Sequence, residues 1–259
     1  MKLRFSAQVP KILGSDDLNE DVVLTDDAQF VICDGASESY DSRTWAKKIA
    51  QVALAHDFIP SGESFDSVAR EYSASVDYAK LSWSRQASFD RGSFCTLLKM
   101  GYSAQDQSVQ VTAIGDSEFF LLSPDGFTVS SDPRESSVSC MHQAYSIKCF
   151  PYANSAQFQQ RPQLISTLQK ANAVFSAEYV GSCVKRYAVK KGQFALLMSD
   201  AISCWCLKNQ EKGSPVWETL LSFSKEDPQS LEKFTSMVVQ LRLRREMRID
   251  DTSLVIVEF

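Results

Sequence analysis

Several short apolar runs in this chain are flanked by carboxylates, and the placement of these acids is the chemically suggestive feature of the sequence. The run Phe30-Val31-Ile32-Cys33 ends in Asp34-Gly35. Val109 to Ile114 ends in Gly115-Asp116-Ser117, and Phe194 to Met198 ends in Ser199-Asp200-Ala201. Two acidic pairs precede apolar runs instead: Glu20-Asp21 before Val22-Val23-Leu24, and Asp250-Asp251 before Leu254-Val255-Ile256-Val257. One acid at a strand end is ordinary turn chemistry, because Asp accepts hydrogen bonds from nearby backbone N–H groups. Five such ends that converged would repel one another strongly in a cavity of low dielectric. Divalent cations would relieve that repulsion, and a set of hard oxygen ligands suits Mg²⁺ or Mn²⁺ better than Zn²⁺.

Convergence requires a fold that gathers strand ends at one edge. Most of the apolar runs are short and bounded by turn residues, as expected of strands. A first strand is expected over residues 3–9, and others at 22–24, 30–34, 94–100, 109–114, 119–122, 127–129, 194–198 and 254–257. Pro124-Asp125-Gly126 reads as the turn joining two of them. After Asp34-Gly35, Asp41 or Ser42 is placed to cap a helix striped by Trp45, Ile49, Val52, Ala53 and His56. Phe65, Val68, Tyr72, Val76, Ala79 and Trp83 predict a second amphipathic helix. Asp200 is placed to cap a helix over 201–207. Asp227-Pro228 predicts the start of a late helix with Leu231, Phe234, Val238 and Leu241 on its buried face, and the arginines at 242, 244, 245 and 248 suit that helix's C-terminal dipole. Residues 131–172 show no sustained period and read as an irregular insertion with a short helix near 163–170. Residues 173–189 fit helix or strand equally. The layout predicts an α+β fold of two packed antiparallel sheets with helices on the outer faces.

With 259 residues, 44% of them hydrophobic and 23% charged, the chain can bury a sizeable core as one domain over 1–259. A net charge of −5 argues against nucleic acid as a partner. No apolar run approaches the ~20 residues of a membrane-spanning helix, and Met1 to Phe5 lacks the apolar core of a signal peptide. Seven scattered cysteines read as reduced thiols, so a cytoplasmic location is expected. Two histidines exclude a histidine-rich metal site.

Taken in order, Asn19-Glu20-Asp21, Asp34-Gly35, Thr96, Gly115-Asp116-Ser117, Ser199-Asp200 and Asp250-Asp251-Thr252-Ser253 resemble the metal-dependent serine/threonine phosphatases of the 2C type, across nearly the whole chain. The resemblance implies a four-layer α-β-β-α sandwich with a centre of two Mn²⁺ or Mg²⁺ ions. It further implies hydrolysis of phosphoserine and phosphothreonine in protein substrates by a metal-activated bridging water. On this resemblance the metal ligands are Glu20, Asp34, the carbonyl of Gly35, Asp200 and Asp250, the last chosen over Asp251. Asp34 and Asp200 are the central catalytic pair, and Asp116 with Asp200 would hold a third ion. Thr96 is expected to be structural. The implied partner is a phosphoprotein substrate, acted on by a monomer.

The sequence also departs from that pattern. Ala36 stands where many members have histidine, Asp16 where many have arginine, Ala201 where glycine is usual and Asp251 where asparagine is usual. Every ligand position remains filled, whereas the phosphate anchor must come from elsewhere, with Lys11 and Arg43 as candidates. Two other readings stay open: a phosphatase-fold regulatory or binding module without turnover, and a two-metal phosphoesterase acting on a small molecule.

Overall fold

A computed structural model describes residues 1–55, 59–129 and 141–259. The chain opens with β1 (Lys2–Val9), β2 (Asp21–Thr25) and β3 (Gln29–Asp34). Three helices follow: α1 (Ser42–Leu54), α2 (Gly62–Ala74) and α3 (Trp83–Arg91). The middle is strand-rich, with β4 (Phe94–Cys95), β5 (Leu97–Ser103), β6 (Ser108–Ile114), β7 (Glu118–Val129), β8 (Met141–Phe150) and β9 (Ile165–Ser166). Then come α4 (Gln169–Asn172), α5 (Ala177–Ser182), β10 (Val184–Ala188) and β11 (Phe194–Met198). The chain closes with α6 (Asp200–Gln210), α7 (Val216–Leu221), α8 (Ser230–Leu243) and β12 (Thr252–Glu258).

Ten of the strands form two five-stranded antiparallel sheets, ordered β1-β12-β11-β7-β8 and β10-β6-β5-β3-β2, and β4 pairs with β9 in a separate short ladder. Successive side chains of a strand point to opposite faces, and in the central strands β3, β11 and β12 both faces are largely buried. Phe30 and Ile32 of β3 meet Phe119, Leu197, Val255 and others in the core between the sheets. Val31 and Cys33 of the same strand face Trp45 and Ile49 of α1. Leu254 and Ile256 of β12 face Phe234 and Val238 of α8, while Val255 and Val257 point inward. The four layers that the pattern predicts are therefore present, and their unbroken apolar runs reflect burial on two sides.

The predicted second helix is the clearest difference. It ends at Ala74, and Trp83, 84% exposed, starts a separate helix. Past the break Val76 still packs partly on the core, whereas Ala79 and Trp83 are exposed. Pro124-Asp125-Gly126 makes no turn. β7 runs through it, with a register irregularity between Pro124 and Gly126. β11 pairs only with Glu118 to Leu122, so Pro124 has a ladder partner on one side alone, which a strand proline tolerates. β8 is a long strand inside what reads as an irregular insertion. Within the expected short helix near 163–170, Ile165 and Ser166 form a strand and the helix begins at Gln169. The ambiguous 173–189 stretch divides into α5 and β10. α8 begins at Ser230, beyond Pro228, and Leu231 is 55% exposed on its outer side. Asp227 still stabilises that start, accepting from the Gln229 N–H at 2.9 Å. The helix expected over 201–207 begins at Asp200 itself, with Ser199 in the cap position. His56 and residues 130–140 lie outside the described residues.

Candidate metal centre

β2 and β3 bring the first acids together, since Asp21 lies opposite Asp34 in the antiparallel register. Asp34 is held through its backbone. Its N–H donates to Thr96 Oγ1 at 2.9 Å, and its carbonyl accepts from the Thr96 N–H at 2.8 Å. Thr96 Oγ1 also bonds Ser117 Oγ at 2.8 Å, which gives this threonine the structural role expected of it. Gly115 adopts φ +104°, and a Cβ there would stand 2.6 Å from Thr96 Cγ2, so only glycine turns the chain here. At Gly35 a Cβ would lie 2.9 Å from the Ser42 backbone. The missing side chain lets the start of α1 dock against the strand end.

Two later elements complete the site. The Ser199 Oγ accepts from the Ser253 N–H at 2.9 Å and the Ser199 N–H donates to the Ser253 carbonyl at 3.1 Å, tying the start of α6 to β12. This stitch brings Asp200 and Asp250 to the same edge. Asp34, Asp116, Asp200 and Asp250 line one small pocket of about 170 Å³, with Gly35, Ser37 and Thr96 also in its wall. Asp251 does not line it. Its Oδ1 accepts from the Lys11 N–H at 2.7 Å and its Oδ2 from the Glu20 N–H at 2.8 Å, so its carboxylate is a backbone clamp.

Glu20 sits beside this pocket. It accepts hydrogen bonds from the Lys11 ammonium, from Ser42 Oγ and, at 2.6 Å, from Ser37 Oγ. Burial acts to raise its pKa, but these donors outweigh burial and hold it below the usual glutamate value. Burial likewise opposes the charge of Lys11, and Glu20 beside it more than compensates. The Lys11 ammonium also reaches Ser37 Oγ at 2.8 Å, which puts it against a residue of the pocket wall, although Lys11, like Glu20, does not line the pocket itself. Arg43 is elsewhere: its guanidinium donates to the Asp17 carbonyl, and it does not line the pocket.

The acids repel one another as convergence requires. Asp34 has its pKa pushed well above the usual range, first by burial and then by the charges of Asp21, Asp116, Asp250 and Asp251. Asp21, 4% exposed, is pushed up to about 7, mainly by burial, while Ser253 Oγ donates to its Oδ2 at 2.7 Å. Burial also raises Asp116, with the positive charge of Arg248 working against that shift.

Two arginines, one in the last turn of α8 and one beyond it, play parts that a helix-dipole reading misses. Arg248 pairs with Asp200 Oδ2. Arg242 is buried, and its guanidinium donates to the carbonyls of Val9, Pro10 and Asp250 and to Thr252 Oγ1. Nothing local distinguishes these two from Arg244 and Arg245, which are exposed.

The donor set fits hard divalent cations. The pocket is lined by four carboxylates and no histidine or cysteine, and Asp200 Oδ1 is buried without a hydrogen-bond partner. As they stand, no three acidic, imidazole or thiol side chains among the described residues are arranged to hold an ion. Lys11 on Glu20 and Arg248 on Asp200 supply part of the positive charge instead.

No protein-family model matches the sequence, and no curated protein matches it. Solved structures do. The catalytic domain of the serine/threonine protein phosphatase PstP, solved in complex with two manganese ions, is 16% identical with a TM-score of 0.53, over 98% of this chain and 96% of that one. The Mycobacterium tuberculosis serine/threonine phosphatase PstP/Ppp is 15% identical with a TM-score of 0.53, over 100% and 99%. The photosystem II phosphatase PBCP is 11% identical with a TM-score of 0.51, over 98% of each chain. The likeness is one of fold: the sandwich implied by the ordered acidic motifs is the one this chain adopts.

Proposed function

We propose that this protein is a metal-dependent phosphoprotein phosphatase that hydrolyses phosphoserine and phosphothreonine. The observation that carries the reading is the meeting of Asp34, Asp116, Asp200 and Asp250, from four separate places in the chain, around one pocket. The manganese-bound PstP domain of the same fold supports it. Asp34, Asp200, Asp250, the Gly35 carbonyl and Glu20 would hold two Mn²⁺ or Mg²⁺ ions, with Asp116 and Asp200 available to a third. Such ions, when bound, lower the pKa of water and offset charge building on phosphoryl oxygens.

The remaining work falls to the chain's own residues. Thr96 and Gly115 keep the Asp34 backbone in place. Asp251 fixes the backbone N–H groups of Lys11 and Glu20, and so the position of both side chains. Lys11, beside Ser37 at the pocket wall, is the phosphate anchor we favour, because an ammonium there meets a phosphoryl oxygen as a point charge. Arg43, bound to the Asp17 carbonyl, is the weaker candidate.

The test is release of phosphate from phosphoserine and phosphothreonine peptides with Mn²⁺. Asp34→Asn is expected to lower kcat by about 100-fold or more, ~2.7 kcal/mol. Undiminished turnover in that variant would sink the assignment. A second reading, a binding module that keeps the fold without turnover, draws on Lys11 and Arg248 sitting on the acids. Wild-type protein that binds phosphopeptide tightly and releases no phosphate with Mn²⁺ or Mg²⁺ would favour it.

A further inference from the structure

A larger cavity lies away from the acids, on the outer face of the second sheet. It measures about 790 Å³, within the ~300–1,000 Å³ typical of small-molecule sites. Its floor is the part of β5, β6 and β10 beyond the cover of α1 and α2. The register places Lys99, Thr112 and Val184 in one row across these strands, and Gly101, Gln110 and Arg186 in the next. Ile59 and Pro60 form one wall, and Ala177, Val180 and Gly181 of α5 the other.

Two independent features of this groove point to a ligand. The first is charge. Lys99 and Arg186 line it, and no acidic side chain does among the described residues, in a chain with a net charge of −5. Lys99 is partly buried, and its ammonium donates to the Ala53 carbonyl at 2.6 Å. It forms no ion pair among the described residues. Arg186 is exposed and donates to Gln110 Oε1 at 3.1 Å, again a neutral partner. The second feature is Gly101. It stands inside a strand, where glycine is unfavourable. Its φ is not positive, and a Cβ added there would meet nothing within 4 Å. Neither turn geometry nor packing requires glycine at this position; its effect is to leave the floor of the groove open. Interior strand glycines often mark the close approach of a ligand.

We propose that this groove binds a small organic anion with an apolar body. The acidic head, a carboxylate, sulfonate or phosphate, lies between Lys99 and Arg186, and the body packs on Leu97, Ile59, Pro60 and Val180 over Gly101. The site is independent of the acidic pocket and of the reaction proposed for it.

Anilinonaphthalene sulfonate, an apolar anion of suitable size, is the probe for the full-length protein. Fluorescence titration and calorimetry are expected to give one molecule bound per chain. Lys99→Met and Arg186→Met should each weaken binding about tenfold, and Gly101→Val should abolish it by filling the floor while leaving both charges in place. Neutral phenylnaphthylamine should bind at least tenfold more weakly than the sulfonate. Near-UV circular dichroism checks that each variant is folded. The proposal is overturned if folded wild-type protein binds no sulfonate, if both methionine variants bind it with unchanged affinity, or if the neutral compound binds equally well.

Discussion

Lys11 and Arg248 place two of the chain's own cations on the acids that would ligate metal. Lys11 offsets the charge of Glu20, and Arg248 that of Asp200. The pair of Arg248 with Asp200 has one partly exposed partner, so its strength is that of a screened ion pair rather than a buried one. A metal ion on Asp200 competes with it for the charge of that carboxylate. Arg248→Gln is therefore expected to tighten Mn²⁺ binding by roughly fivefold, ~1 kcal/mol, read by titrating free Mn²⁺ with paramagnetic resonance in the absence of substrate. Unchanged or weaker binding would show that Arg248 does not compete for Asp200. At this scale the sequence was only partly legible. Asp250 and Asp251 are neighbours of identical type, and their roles separate only because β1 and β2 bring the Lys11 and Glu20 N–H groups to one of them.

Among the elements, α8 and the segment after it do more than cover the first sheet. Arg242 reaches from the end of α8 to the exit of β1 and the start of β12, and so positions Lys11 and Asp250 from behind. Its guanidinium satisfies three backbone carbonyls and one hydroxyl that would otherwise be left without these donors. Arg242→Met keeps much of the stem but supplies no donors. It is expected to cost about 2–4 kcal/mol in urea unfolding. A loss below ~1 kcal/mol would mean that water replaces the guanidinium freely. The interruption of the second predicted helix and the run of β7 through Pro124 and Gly126 belong to this scale too. Residues with helical spacing or turn chemistry took their final form from which neighbouring strand or core residue they met.

For the whole molecule, gathering acids at one sandwich edge has a thermodynamic consequence. The folded-state pKa of Asp21 is near 7 and that of Asp34 is also raised, whereas an unfolded Asp titrates near ~3.9. Between those values the unfolded chain has released protons that the native chain retains, so native stability falls as pH rises from about 4 to 7. Metal-free protein is therefore expected to gain stability from these acids on lowering the pH from 7 towards 5. Added Mn²⁺ should raise Tm more at pH 7 than at pH 5, because the ion competes with protons for the same carboxylates. Thermal melts with chelator and with Mn²⁺ at both pH values check this. A metal-induced increase in Tm that is larger at pH 5 would contradict the carboxylate cluster. No helix among the described residues is long and apolar enough to cross a membrane.

The sequence by itself determined most of the strand runs outside 124–189 and the placing of acids at their ends, because side-chain period and turn chemistry act over a few residues. That was sufficient to expect two packed sheets and an oxygen-rich site. Only the tertiary structure decided that Asp251 is a backbone clamp while Asp250 lines the pocket, that Lys11 and Arg248 sit on the acids, that Arg242 ties three segments together, and that a groove with two cations opens over Gly101. Each of these depends on groups separated along the chain and joined by strand pairing or by a docked helix. No local spacing encodes such a meeting; it follows from the packing of the two sheets and the helices against them.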